Sequence, residues 1–155
     1  MLYNVLDKLD DQVLGFDTDS VWYVDKPGGV TIETGDSLGD LTDELDGDYI
    51  TDWCGTGPKS YAYTTSNGMQ VCKVKGFTLN YENSQCINQK SMADIIKGEN
   101  KNGKKVERIT TVNESKITRD STTKQIVNKY QEKNFTLVYD KRCIQENFDT
   151  LPYGY

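Results

Sequence analysis

The sequence predicts an α+β fold, and three observations carry that expectation. Apolar residues recur at helical spacing in three short stretches. Between and beyond them lie β-rich runs bounded by turn signals. No internal repeat unites the 155 residues, so small mixed layers are expected rather than a barrel, bundle or solenoid.

The elements come in this order. Leu2, Val5, Leu6 and Leu9 have helical spacing, which predicts an amphipathic helix over residues 2–11. Val13-Leu14 and Val21–Val24 are apolar and β-rich and flank the turn-forming Asp17-Thr18-Asp19-Ser20, which predicts a hairpin closed by Lys26-Pro27-Gly28-Gly29. Asp36-Ser37 reads as an N-cap for a short helix with Leu38, Leu41 and Leu45 on one stripe. A strand is expected from Asp48 to Cys54. Ser66-Asn67-Gly68 then predicts a second hairpin, between strands Ser60–Thr65 and Met69–Lys75. Asn83-Ser84 is read as the cap of a helix carrying Ile87, Met92, Ile95 and Ile96 and stopping at Gly98. A polar loop over 98–105 is next, then strands at Val106–Val112, Lys124–Tyr130 and Phe135–Tyr139. A junction is expected near residues 76–85.

Composition narrows the chemistry. Hydrophobic residues make up 35% of the chain and mean hydropathy is −0.69, so the core must be modest. No apolar run has membrane-spanning length and no secretory leader pattern is present, so the expectation is a soluble, intracellular protein with no membrane partner. Cys54, Cys72, Cys86 and Cys143 are irregularly spaced and read as reduced, mostly buried thiols. With no histidine, Ser-His-Asp and Cys-His catalysis are excluded, and a zinc site is disfavoured. Any catalysis must therefore rest on carboxylates, lysines or a metal. Net charge is −6 and unevenly spread: residues 1–85 hold 5 Lys+Arg against 15 Asp+Glu, whereas residues 86–155 hold 13 against 9. An acidic platform with a basic, polyanion-gripping segment after it fits that division, and so does an ordinary solvated surface.

The stretch GFDTDSVWY (Gly15–Tyr23) places two carboxylates, Asp17 and Asp19, inside an apolar hairpin. On an extended strand they would share a face; a tight turn between them would aim them apart. At about 6 Å they repel by roughly 3 kcal/mol at an effective dielectric near 20. A half-buried hairpin then needs a proton, a basic partner or a cation. A hard ion such as Mg²⁺ takes oxygen ligands and keeps several waters, so two or three carboxylates suffice. Taken alone, D-x-D reads first as a polar turn with both aspartates in solvent, because Asp is a common turn residue. An EF-hand is excluded, because Val21 and Trp22 stand where a ligand and the required glycine belong. A D-x-D glycosyl-transfer domain is a further, weaker reading.

DTDS, set in an apolar hairpin after a helix, resembles motif C of the family B DNA polymerases. Further likenesses occur in order: GDSLGDLTDEL (Gly35–Leu45), GPKSYAY (Gly57–Tyr63), KVKGFTLN (Lys73–Asn80) and the closing YDKRCIQENFDTLPYGY. Together they are similar to the C-terminal part of protein-primed family B polymerases, most of all those of Polinton/Maverick elements and related viruses. The likeness is weakest over residues 97–134. The family usually has tyrosine where this chain has Gly15; Phe16 is expected to supply part of the missing packing.

The resemblance implies a partial palm over residues 1–80, carrying motif C and the K-x-Y motif, and a small α+β thumb over 81–155. It implies that Asp19 binds the catalytic Mg²⁺, two ions in a complete enzyme, with Asp17 as the supporting carboxylate. Such a pair of ions activates a primer 3′-hydroxyl and stabilises leaving pyrophosphate. Lys59 and Tyr61 would hold the primer strand, and Lys73 and Lys75 would extend the positive surface. On strands, Lys59, Tyr61 and Tyr63 share one face, and Lys73 and Lys75 another, which suits phosphate and sugar contacts. GTGPKS is not a phosphate-binding P-loop, since Pro58 stands where glycine must precede the lysine.

The implied partners are primer-template DNA, a dNTP, a terminal protein primer and the remainder of the polymerase chain, at an intracellular site, nuclear or viral. The family's partner aspartate, its nucleotide-binding lysine helix and its proofreading motif have no counterpart in this sequence. The expectation is a C-terminal fragment, inactive by itself. The alternative is a non-enzymatic nucleic-acid-binding domain derived from a polymerase thumb.

Overall fold

The computed structural model describes residues 2–98, 107–137, 142–147 and 149–152. It is a mixed α+β chain with small antiparallel sheets and few helices. It divides into two compact units, Met1–Tyr49 and Ile50–Tyr155. Among the described residues no helix is long and apolar enough to cross a membrane.

In the first unit the stripe of Leu2, Val5, Leu6 and Leu9 forms helix α1, Leu2–Leu9, with Leu9 fully buried. A 3₁₀ turn, Asp10–Gln12, leads into strand β1, Val13–Asp17, which pairs antiparallel with β2, Ser20–Tyr23. The register places Asp17 opposite Ser20 and Phe16 opposite Val21, with a one-residue irregularity between Val13 and Gly15. Gln12 is buried, and its amide donates to the carbonyls of Val24 (2.8 Å) and Val30 (3.0 Å) while accepting from Val30 N–H (2.7 Å). One side chain thus fixes the return of the chain after β2. Phe16 is 59% exposed, so it does not supply the packing expected of it. Its place on the strand turns it to the outer side, with Leu14.

The helix expected after Asp36-Ser37 is absent. Residues 36–45 form turns and bends, Thr34 bridges to Leu41, and Leu38 is fully exposed. The cause is local competition for backbone donors. Asp40 accepts from Ser37 N–H, and Asp43 accepts from Leu45 N–H (2.9 Å) and Gly47 N–H (2.8 Å). These short carboxylates offer the backbone partners that a helix would otherwise provide. The same two bonds hold the Asp43 carboxyl below its ordinary pKa.

In the second unit β3 (Ile50–Gly57), β4 (Ser60–Thr65) and β5 (Gln70–Lys73) form an antiparallel sheet in that order. The expected Ser66-Asn67-Gly68 hairpin is present, with Asn67 Oδ1 accepting from Thr65 Oγ1 and Met69 N–H. The single helix expected from Asn83 is two: α2, Tyr81–Cys86, and α3, Gln89–Lys97. Asn80 caps the first. Asn88 caps the second in a reciprocal capping box with Ser91, and so breaks the helix at Ile87. Gly98 ends α3 in the left-handed region (φ 72°), as its position predicted.

Ala62, Val74, Ile87, Met92, Ile95 and Phe135 form one buried cluster. Ile87 and Met92 are fully enclosed, and each contributes about 2 kcal/mol by removal from water. The expected palm–thumb boundary at 80/81 falls inside this cluster.

Strands β6 (Ile109–Arg119) and β7 (Ile126–Phe135) make a long hairpin, and β8 (Arg142–Ile144) pairs with β9 (Thr150–Pro152). Sequence reading began β6 too early, and it split β7 by starting a new strand at Phe135. The polar loop expected over 98–105 lies almost wholly outside the described residues, as do Val106 and the stretch 138–141. The register of β6 on β7 slips by one residue between Thr111 and Glu114. Such a bulge re-aims the side chains beyond it, and Glu114 is turned into the interior at 2% exposure. There Glu114 Oε1 accepts from Thr78 N–H and its other oxygen pairs with Lys133. Lys133 also donates to Gly76 O (2.6 Å) and lies over the Phe77 ring, which meets Phe135 edge-on. The base of the hairpin is thereby fastened to residues 76–78.

Candidate functional site

The residues singled out by sequence fall in both units: Asp17 and Asp19 in the first, Lys59, Tyr61, Lys73 and Lys75 in the second.

Asp17 closes β1 and is half-buried, whereas Asp19 is exposed in the two-residue turn before β2. Asp19 therefore lies outside both strands, and the alternation that would put the pair on one strand face does not apply. A tight turn carries them instead. Thr18 has φ +54°, and Asp19 N–H donates to Asp17 O at 2.6 Å across it. A hydrogen bond spanning a single residue at positive φ is a strained γ-turn. A β-branched residue in that region is an outlier costing about 1–3 kcal/mol. Thr18 Oγ1 donates to Asp17 Oδ1 (3.0 Å), and Ser20 Oγ donates to Asp17 O (3.0 Å).

The tip thus presents two carboxylates and two hydroxyls, all hard oxygen donors of the kind Mg²⁺ accepts. Among the described residues no group of three or more His, Cys, Asp or Glu converges. By donor type, Asp17 and Asp19 are residues that could each contribute an oxygen to a hard divalent ion, most of whose ligands would have to come from water or from elsewhere.

In the second unit Lys59 is exposed in the Pro58-Lys59 turn at φ +55°, ahead of β4 rather than on it. The expected shared face of Lys59, Tyr61 and Tyr63 thus holds for the two tyrosines alone. Their rings stack, with centroids 6.3 Å apart and planes 4° from parallel. Lys73 stands directly opposite Tyr61 on β5, its ammonium 5.9 Å from the ring centroid. Lys75 lies past the end of β5, so strand alternation does not align it with Lys73. Its N–H donates to Ser60 Oγ (3.1 Å), which ties its segment to the start of β4. In this antiparallel sheet the end of β3, the start of β4 and the end of β5 lie together. Lys59, Lys73 and Lys75 therefore gather at one end of it.

Two features escaped sequence reading. Trp53 pairs with Tyr63 and so shares its face of the sheet. Its indole lies so close over Gly55 that a Cβ there would sit 2.5 Å from it. Period-two alternation from Tyr61 back across the GTGPKS turn would have placed Trp53 in that row. The second feature is the β6–β7 arm. Between Ser115 and Gln131 it carries Lys116, Arg119, Lys124 and Lys129 against Asp120 alone, and Lys116 and Lys129 are directly cross-strand. Ile117, Ile126 and Tyr130 are also mostly exposed there. Little in the sequence signalled it, since the stretch from Asn113 to Arg119 holds only Ile117 and Thr118 as strand-favouring residues.

No family model, no curated protein and no solved structure matches the chain.

Proposed function

We propose that this chain is the C-terminal part of a DNA-directed DNA polymerase of the protein-primed family B kind, extending a DNA primer by two-metal nucleotidyl transfer. The observation that carries the reading is the DTDS hairpin tip. Two oxygen-bearing acids stand at a strained turn, one of them held by the Thr18 hydroxyl. In this reading Asp19, with Asp17 beside it, holds Mg²⁺, which supplies activation of the 3′-hydroxyl and charge neutralisation at the leaving pyrophosphate. Lys59 and Tyr61 hold the primer strand, and Lys73 and Lys75 extend the phosphate-binding end of the sheet. Residues 1–80 serve as palm and 81–155 as thumb, within which the basic β6–β7 arm grips duplex. A two-stranded ribbon has the dimensions to enter a major groove.

Two carboxylates complete only one side of a metal cage, so the isolated chain is expected to incorporate no nucleotide. The partners are primer-template DNA, a dNTP, a protein primer and the remainder of the polymerase chain. The test is complementation. An upstream polymerase segment with the missing acid and nucleotide-binding lysine should restore Mg²⁺-dependent primer extension, and Asp19→Ala should abolish it. Template-dependent synthesis by the chain alone, or restored synthesis that survives Asp19→Ala, would refute the assignment.

The basic arm favours a second reading, a non-enzymatic nucleic-acid-binding domain, because it needs no metal to bind phosphate. That reading predicts duplex binding with no complementation by any upstream segment.

A further inference from the structure

Three sulfur-bearing side chains face one another across the sheet and helix α3 of the second unit, with two of the sulfurs in contact, and the polymerase reading uses none of them. Cys54 on β3 stands directly opposite Ala62 on β4, and Ala62 stands opposite Cys72 on β5. The two cysteines therefore flank one alanine on the same face of the sheet. Ala62 is completely buried, and its single methyl separates them. Across that face lies α3, whose Met92 is completely buried and whose Sδ is 3.4 Å from Cys72 Sγ. Cys54 Sγ sits 3.9 Å from the carbonyl of Gln89, at the start of the same helix. The thiols are near enough that a charge on Cys54 disfavours one on Cys72. With desolvation first and that repulsion second, Cys72 is pushed up to about 11. Both cysteines are half-buried, which leaves a path from solvent.

A disulfide does not explain the arrangement. Two strand spacings separate the Cα atoms by about 10 Å, beyond the roughly 7 Å that a disulfide tolerates. An ion can bridge where a disulfide cannot, since two metal–thiolate bonds of about 2.3 Å span roughly 4.6 Å in line, enough to join the pair once both side chains lean over Ala62. Zinc wants four donors, and the chain has no histidine to complete them. Two thiolates and a thioether are instead the soft set that selects Cu(I).

We propose that Cys54, Cys72 and Met92 form a binding site for a soft monovalent metal ion, Cu(I), held between the sheet and α3. On binding, two S–H bonds give up their protons to solvent and two Cu–S bonds form. The Met92 sulfur donates a lone pair, and no electron is transferred because the metal enters as Cu(I). Two protons leave, so apparent affinity rises about 100-fold per pH unit while both thiols remain protonated. The site stands apart from the Asp17–Asp19 tip in both residues and chemistry, so it fails or survives independently of the polymerase reading.

The test uses the full wild-type chain under anaerobic conditions, with Cu(I) supplied from a chelator buffer. Iodoacetamide labelling is then read at each cysteine by mass spectrometry. One equivalent of Cu(I) should slow labelling of Cys54 and Cys72 at least tenfold and leave Cys86 and Cys143 unchanged, and Mg²⁺ should protect none. Equal protection of all four cysteines, or none at Cys54 and Cys72, would overturn the site. Met92→Leu conserves volume and should keep the melting temperature while weakening Cu(I) about tenfold. Unchanged affinity in that variant would overturn the three-sulfur assignment. Asp19→Ala should bind Cu(I) as the wild type does.

Discussion

Lys133→Met isolates the energetics of the buried pair that fastens the β6–β7 arm. Its partner Glu114 is 2% exposed, whereas Lys133 retains 31% of its surface. Removing the lysine leaves a carboxylate enclosed with the Thr78 N–H as its remaining described donor. A buried charge stripped of its counter-ion costs about 3–5 kcal/mol. The reciprocal change, Glu114→Gln, leaves an ammonium with access to water, to Gly76 O and to the Phe77 ring. A charged hydrogen bond lost at such a partly wetted site costs about 1–2 kcal/mol. At roughly 2–4 °C per kcal/mol for a chain of this size, Lys133→Met should lower the melting temperature by about 6 °C or more, and Glu114→Gln by about half that or less. Replacing both, as Glu114→Gln with Lys133→Met, should recover most of the loss, because no charge remains to be solvated. Thermal unfolding of the four proteins reads the cycle. Equal costs for the single variants, or additive loss in the double variant, would refute the argument that Glu114 is the enclosed member.

Salt dependence of duplex binding tests the phosphate contacts: each of Lys59→Ala and Lys116→Ala should reduce the slope of log K against log salt by about 1. Gly29→Ala should destabilise the first unit by about 1–3 kcal/mol, because its Cβ would fall 2.8 Å from Gln12 Oε1 and unseat a buried amide; urea unfolding reads this. Asp120 accepts from the N–H groups of Thr123 and Thr122, which depress its pKa below the ordinary 3.8. A depressed folded value means the turn is held above pH 3.8 and released as pH falls through the folded value. Amide exchange at Thr122 and Thr123 should accelerate there, and Asp120→Asn should remove that pH dependence. Cys72 has the opposite sign: its thiol is raised from 9.0 to about 11, so its contribution is intact below pH 9 and lost as pH climbs toward 11. The alkaline unfolding limb should flatten in Cys72→Ala.

Legibility tracked the range of the interactions. Helix α1, the β1–β2 hairpin, the Ser66-Asn67-Gly68 turn and the Gly98 stop were all readable, because each is set by residues within a few positions of one another. The helix expected at 36–45 failed because Asp40 and Asp43 captured backbone donors, a competition that a stripe of leucines does not reveal. Asn88 interrupted a continuous apolar stripe in the same local manner. The arm and its buried Glu114 needed a bulge and a partner in another segment, and hydrophobic periodicity encodes neither. For the candidate site, residue identities were readable but faces were not. Lys59 and Lys75 sit in turns, so alternation assigned them sides of strands they do not occupy.

The hairpin tip shows why residue type adds to motif spacing. A two-residue turn is met at least cost by glycine or asparagine at positive φ. This chain holds Thr18 there at φ +54°, giving up about 1–3 kcal/mol. Its hydroxyl is bonded to Asp17 Oδ1, so the strained residue fixes the orientation of a carboxylate. A merely solvated turn gains nothing from an oriented acid. Under the metal-binding role proposed for the tip, this oriented Asp17 carboxylate is the group that the local backbone cost would serve.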